Sequence, residues 1–190
     1  MPLLPIRDDG MIESIVTYLE MTSPPASPPP ARPAEQIALL RAEQPTPSFY
    51  QFLYGTVGEP WFWWERKSLS DEDLIAVIHD PKVEIEVLYL RGVPAGYYEL
   101  DRRVDGDVEL AYFGLMPEFI GRRLGPYLLR LAIDQAWSIG VPKRVWLHTC
   151  DLDSPKALAT YQRAGFSPYK QEVEREPDPR VAVAITEPTG

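Results

Sequence analysis

Cysteine occurs once in this chain, at position 150, and a single thiol excludes any intramolecular disulfide. The fold must be held by its own core, and a reducing compartment suits it. Histidine occurs twice, as His79 and His148, too far apart in sequence to suggest a histidine-based metal site. No apolar run reaches the roughly 18 residues that a membrane-spanning helix needs. The first ten residues lack a basic stretch followed by an apolar one, so no signal peptide is read there. These absences make the cytoplasm the expected location and leave metal and membrane out of the expected partners. Basic residues are also scarce: 19 Lys+Arg stand against 28 Asp+Glu, a formal net charge of −9 and a pI near 4.8. Nucleic-acid binding needs a basic surface to neutralise phosphates, so no nucleic-acid partner is expected. A cationic substrate such as an amine is compatible with the balance, as is a plain solvated surface.

What is present fits one α/β domain with an extra arm. The chain has 190 residues, 45% of them hydrophobic, and at this size roughly 70% of the unfolded surface can be buried. Proline is frequent and concentrated. Residues 23–33 read SPPASPPPARP, a density that forbids helix and sheet interior and favours a stiff extended linker or a recognition arm. The chain divides into residues 1–47 (a strand, the Pro-rich arm and a short helix) and residues 48–190, the main unit of one compact whole.

Residues 11–21, rich in Ile, Val, Thr and Tyr, read as a strand. Residues 34–44 are expected to form a short helix ended by Pro45 and Pro47. Ser48 is the expected cap of a helix over 49–54, with Gly55 behind it. Ser70 with Asp73 resembles a capping box for a helix over 71–79, stopped by Asp80-Pro81. The alternating segments 83–91, 95–103 and 108–115 predict an antiparallel meander, its second connection marked by Asp105-Gly106. Apolar Leu124, Leu128, Leu131, Ala132 and Ala136 predict a helix over 124–139 closed by Gly140. A strand over 144–150 follows. A helix over 154–164 is expected next, with Ser154 as cap and Pro155 at its first position. Closing strands are expected over 166–173 and 180–185.

The order strand, turn, helix, strand, helix places one chemically loaded segment. The turn PEFIGRRLGPYLL runs into a helix start, where unpaired N–H groups and the positive end of the helix dipole point outward. Glycine lets the backbone approach an anion, and Arg122 and Arg123 add charged donors worth roughly 1.5–3 kcal/mol each if engaged. This is the construction of a pyrophosphate site. It is neither a Walker loop nor a dinucleotide fingerprint, because no Gly-Lys-Ser/Thr and no GxGxxG occurs.

In its context this turn resembles that of the GNAT superfamily of N-acetyltransferases. There a strand ending in a Val-x-Pro-like sequence precedes an Arg/Gln-x-x-Gly-x-Gly/Ala turn; here they are Gly114-Leu115-Met116-Pro117 and Ile120-Gly121-Arg122-Arg123-Leu124-Gly125. A second hallmark, Tyr-x-x-x-Gly-Phe, is matched by Tyr161 through Phe166. Ile120 stands where the family prefers Arg or Gln, and Arg123 where it prefers glycine. The resemblance implies a mixed, mostly antiparallel central sheet flanked by helices and splayed at a cofactor cleft, an α/β (α+β) fold. It implies acetyl-CoA as co-substrate and an amine acceptor, small molecule or peptide, attacked directly. Backbone N–H groups near Leu115 and Met116 would polarise the thioester. Pro117, Arg122, Arg123, Leu124, Gly125, Pro126 and Tyr127 would frame the pyrophosphate, with Ser154 on the cofactor arm. Tyr161 is the implied general acid and Glu109 the candidate base, with Glu99, Glu84 and Glu86 weighed beside it. His148 reads as a structural histidine. Trp61, Phe62, Trp63 and Trp64 precede the meander, where the family places acceptor-binding elements, and at least two of them are expected instead to pack the first helices against the sheet. Three readings follow: an N-acetyltransferase, a non-catalytic acyl-CoA sensor, and a scaffold whose Pro-rich arm binds a partner. A homodimer is compatible with each.

Overall fold

The computed structural model describes residues 7–181. Strands β1 (Met11–Met21), β2 (Ile37–Arg41), β3 (Val83–Leu90), β4 (Val93–Asp101), β5 (Asp107–Leu115), β6 (Arg144–Cys150) and β7 (Ser167–Pro177) form one sheet in the order β2-β3-β4-β5-β6-β1-β7. Every neighbouring pair is antiparallel except β5 and β6, which run parallel. The meander β3-β4-β5 is as its alternation predicted. Helices α1 (Pro47–Gly58) and α2 (Asp71–Ile78) cover one face of the sheet; α3 (Leu124–Ser138) covers the other, and α4 (Ala157–Arg163) follows β6.

The two faces are filled by two separate cores because strand side chains alternate. On the α3 face, Leu124, Leu128, Leu129, Ala132, Ile133 and Ala136 recur at helical spacing and pack on Leu100, Val108, Val145 and Leu147. On the opposite face, Tyr50, Leu53, Tyr54 and Val57 of α1 meet Val83, Ile85, Val87 and Tyr97.

Three local expectations are corrected. Residues 34–44 hold the strand β2, not a helix: Pro33 and Pro45 leave too few residues for a self-sustaining helix, and the edge of β3 supplies pairing from Ile37↔Leu90 to Arg41↔Glu86. Thr46, not Ser48, caps α1, accepting from the Phe49 N–H at 3.3 Å, and Pro47 opens the helix instead of ending an earlier one. Ser154 does not cap α4, which begins at Ala157 after a turn closed by the Ala157 N–H on the Ser154 carbonyl. Ser70 caps α2 as expected. The strand expected over 180–185 lies, beyond Val181, outside the described residues.

β1 fills the slot between β6 and β7, pairing Met21↔Val145 on one side and Met11↔Pro177 on the other. The segment that follows it, the Pro-rich arm, has no regular structure and meets α3 where Arg130 Nη1 donates to the Ser27 carbonyl at 2.7 Å.

Candidate active site

β5 and β6 pair only at Asp107↔Arg144, Val108↔Val145 and Glu109↔Trp146, then diverge. Their separation opens a cleft of about 540 Å³. Two departures from regular strand shape the wall at β5. Ala111 is left unpaired between Leu100↔Leu110 and Glu99↔Tyr112, a bulge that sets Tyr112 on the same face as Glu109. Gly114 is the second: a Cβ there would sit 2.3 Å from Val57 Cγ1, so only glycine lets α1 come this close.

Backbone alternation decides which amides face the opening. The Met116 N–H is spent on the Ala95 carbonyl at 3.0 Å, so Met116 serves the sheet and its side chain is buried in the α1 core. The neighbouring Leu115 N–H therefore points the other way, along the free edge of β5 into the cleft. Pro117 begins a 3-10 turn over Pro117–Phe119 and does not line the cleft.

The turn then enters α3 through two left-handed residues, Gly121 at φ +87° and Arg123 at φ +62°. No side chain caps the helix, and the space beside Gly121 is open. Leu124 and Gly125 thus begin a fifteen-residue helix with first-turn N–H groups left for a ligand. Leu124 is otherwise a core side chain, Pro126 has no N–H to give, and Tyr127 packs against the α3 core. Arg123 lines the cleft; Arg122 does not, because its guanidinium grips Glu35 at 2.6 and 2.9 Å over the Phe119 ring. The left-handed backbone costs Arg123 roughly 1–2 kcal/mol, which glycine would relieve. Arg123→Gly is therefore expected to bind acetyl-CoA equally or more tightly in calorimetry. A clear loss of affinity would make the Arg123 side chain itself a ligand.

Across the cleft stand Ser154, Lys156, Thr160 and Tyr161. Tyr161 rests edge-on against Phe113 and Phe166, with centroids 6.1 and 6.3 Å away. Burial, and then the charge of Asp153, hold its phenol well above the usual range. Among the described residues its hydroxyl has no hydrogen-bond partner. Asp153 is a residue that sequence reasoning passed over. It accepts from Thr149 Oγ1 at 2.6 Å, the Cys150 N–H at 3.1 Å and Trp63 Nε1 at 3.3 Å, tying the β6 end to the aromatic wall. Cys150 lines the cleft as a thiol, pushed up to about 11 by burial and then by Asp153.

The four weighed carboxylates separate cleanly. Glu84 is buried with Arg102 at 2.7 Å and Gln135 at 2.8 Å. Glu86 faces Arg41 and is raised chiefly by burial. Glu99 is fully buried, accepting from Tyr50 at 2.6 Å and Arg66 at 2.7 Å. Glu109 alone sits where β5 and β6 part, and its Oε1 lies 3.4 Å from His148 Nδ1. The structure places His148 at the cleft: β6 buries Val145, Leu147 and Thr149 and turns His148 outward, beside Tyr18 and Trp146. The hydrogen bond that its Nδ1–H donates to Glu109 is the main cause that raises its imidazole.

Residues 37–166 match the family model of the acetyltransferase (GNAT) family. The chain belongs to the GNAT family. Solved GNAT structures share the fold. A GCN5-related N-acetyltransferase from Kribbella flavida superposes with a TM-score of 0.61 at 19% identity, over 88% of this chain and 60% of that one. A tandem GNAT protein from the clavulanic acid biosynthesis pathway gives 0.60 at 17%, over 86% and 53%. The ribosomal-protein-S18-alanine N-acetyltransferase from Escherichia coli gives 0.56 at 16%, over 75% and 94%. This chain thus spans about three fifths of the Kribbella protein and about half of the tandem one. No curated protein matches the sequence. The GNAT cleft fits an acyl-CoA on its own geometry. The uncapped start of α3 beside Arg123 suits a pyrophosphate, and the free β5 edge suits an amide-bearing arm that adds as a strand. Among the described residues no helix is long and apolar enough to cross a membrane, and no group of three His, Cys, Asp or Glu is set to hold a metal.

Proposed function

We propose that this GNAT chain transfers acetyl from acetyl-CoA to the amine of a small molecule or peptide by direct attack. The observation that carries the reading is one cleft joining the free edge of β5, the uncapped start of α3 and the unpartnered hydroxyl of Tyr161. The co-substrate supplies a thioester carbonyl. The Leu115 N–H is aimed at the oxygen that gains negative charge there, a donor fixed by the sheet before reaction. The helix start and Arg123 hold the phosphates. Tyr161 donates its proton to the departing sulfur. Its raised phenol does not spoil the match, because the water exclusion that disfavours a phenolate disfavours a thiolate in the same cleft.

An amine attacks only when neutral, and the Glu109–His148 pair takes its proton. Nδ1 faces Glu109, so Nε2 is the nitrogen turned to the acceptor. The sign of the pH dependence follows. His148 must be neutral to accept, so kcat/KM falls as pH drops through its raised value. Glu109→Gln removes the main cause of that raise and is expected to move the acid limb of the profile to lower pH. An unmoved limb would take the pair out of the proton path. The whole reading is tested by thiol release from acetyl-CoA against amino acids, polyamines, aminoglycosides and peptide N-termini. Turnover with one of them is expected. Tight acetyl-CoA binding without turnover on any would favour the non-catalytic acyl-CoA sensor.

A further inference from the structure

The cleft has opposite charges at its two ends. Arg123 and Lys156 line the end at the α3 start. Glu65, Glu174 and Glu176 line the other, beyond the point where β5 and β6 part. β7 presents Glu174 and Glu176 on one face of its alternation, toward Ile12, Ser14 and Val16 of β1, which floor the cleft. None of the three carboxylates has a cationic partner among the described residues. Among the described residues, Glu65 accepts the Tyr112 hydroxyl at 2.5 Å, Glu174 accepts the Tyr18 hydroxyl at 3.0 Å, and no donor reaches the Glu176 carboxylate. Burial, then the charges of Glu174 and Glu65, raise the Glu176 carboxyl, so the three groups feel one another across the space.

Aromatic side chains share the cleft with these carboxylates, one of them, Phe62, already facing the Arg180 guanidinium at 5.1 Å. Trp61, Phe62, Trp63 and Trp64 line the cleft, and Trp63 is locked against Tyr54 and Tyr112 with centroids 5.4 and 5.2 Å away. Aromatic faces and uncompensated carboxylates around one apolar floor recognise an ammonium on an aliphatic stem. A single ammonium does not account for the site. The reacting amine must lose its charge at Glu109 and His148, so a second ammonium is what the carboxylates of β7 would meet.

We propose that the acceptor is a small aliphatic amine carrying a second amine that stays protonated, a diamine or polyamine. Its distal ammonium rests between Glu65, Glu174 and Glu176 while its neutral amine meets the thioester. This rests on the acetyl-transfer reading above and names the substrate class for that site.

The test pairs cadaverine with pentylamine, the same stem with and without the second ammonium, in the thiol-release assay. The kcat/KM for cadaverine is expected to exceed that for pentylamine by at least about tenfold, the scale of one charge-assisted contact. Glu176→Gln is expected to bring that ratio down toward unity, mainly through the KM of cadaverine. A wild-type ratio near one, or a ratio unchanged in the variant, overturns the proposal. If neither amine nor any other releases thiol, the transfer reading fails instead. Calorimetric titration of both amines then decides the charge reading: cadaverine bound at least about tenfold tighter supports it, and equal binding overturns it.

Discussion

Arg66→Ala will destabilise the fold by about 3–5 kcal/mol, the cost of leaving a buried charge without its partner. Glu99 has 0% exposure in the middle of β4, and Arg66, on the 3-10 turn Arg66–Ser68, reaches it with Nη2 at 2.7 Å. The Tyr50 hydroxyl at 2.6 Å is then its one remaining donor. Even with Arg66 present, burial outweighs the guanidinium and raises the Glu99 carboxyl above its ordinary value. A raised carboxyl favours the protonated form in the folded state, so its contribution to stability falls as pH rises from the ordinary carboxylate value toward the raised one. Without Arg66 that window widens upward. The deficit of Arg66→Ala in urea unfolding is therefore expected to be larger at pH 8 than at pH 5. The double variant Arg66→Met with Glu99→Leu should recover most of the loss, because no charge then remains to be buried. A deficit that does not change with pH would show that packing, not charge, is lost. Arg66 also lies over the Tyr112 ring at 5.2 Å, and Tyr112 holds Glu65. The same pair thus also fixes the Tyr112 wall of the cleft.

The cleft was legible where its geometry depends on neighbours in the chain. Gly114 and Leu115 of the strand end, Gly121, Arg123 and Gly125 of the turn, and Tyr161 of the last helix each carry their own local geometry, and they line one cleft. The meander was legible because alternation and an Asp-Gly turn are local. What stayed hidden depends on partners far away in sequence. β1 was recognisable as a strand, but its place between β6 and β7 follows from pairings such as Met11↔Pro177, which no local pattern announces. β2 is a strand because β3 offers it an edge, which its own residues do not reveal. Arg122 looked like a phosphate ligand until Glu35 claimed it. His148 reads as structural on its own, and that it faces a cleft beside Glu109 follows only from β5 and β6 parting there. Asp153 had no signal at all, since its role is to bridge Thr149 and Trp63.

Tyr161→Phe is expected to lower kcat by at least on the order of 10²-fold, the low end of what a positioned general acid contributes. The substitution removes only the hydroxyl. The ring keeps its edge contacts with Phe113 and Phe166, so stability and acetyl-CoA affinity should stay close to wild type. The loss should appear in kcat and kcat/KM alike, the signature of an interaction made as the sulfur departs and not in the ground state. The pH profile separates this from a packing effect. Burial and the Asp153 charge keep the phenol protonated above the ordinary tyrosine value near 10, so Tyr161 imposes no alkaline limb below that pH. Its removal should lower the whole profile and leave the acid limb set by Glu109 and His148 where it was. A kcat for Tyr161→Phe within about twofold of wild type at neutral pH would sink the assignment. The proton for the leaving thiolate would then have to come from solvent, through the mouth that Lys156 and Thr160 line.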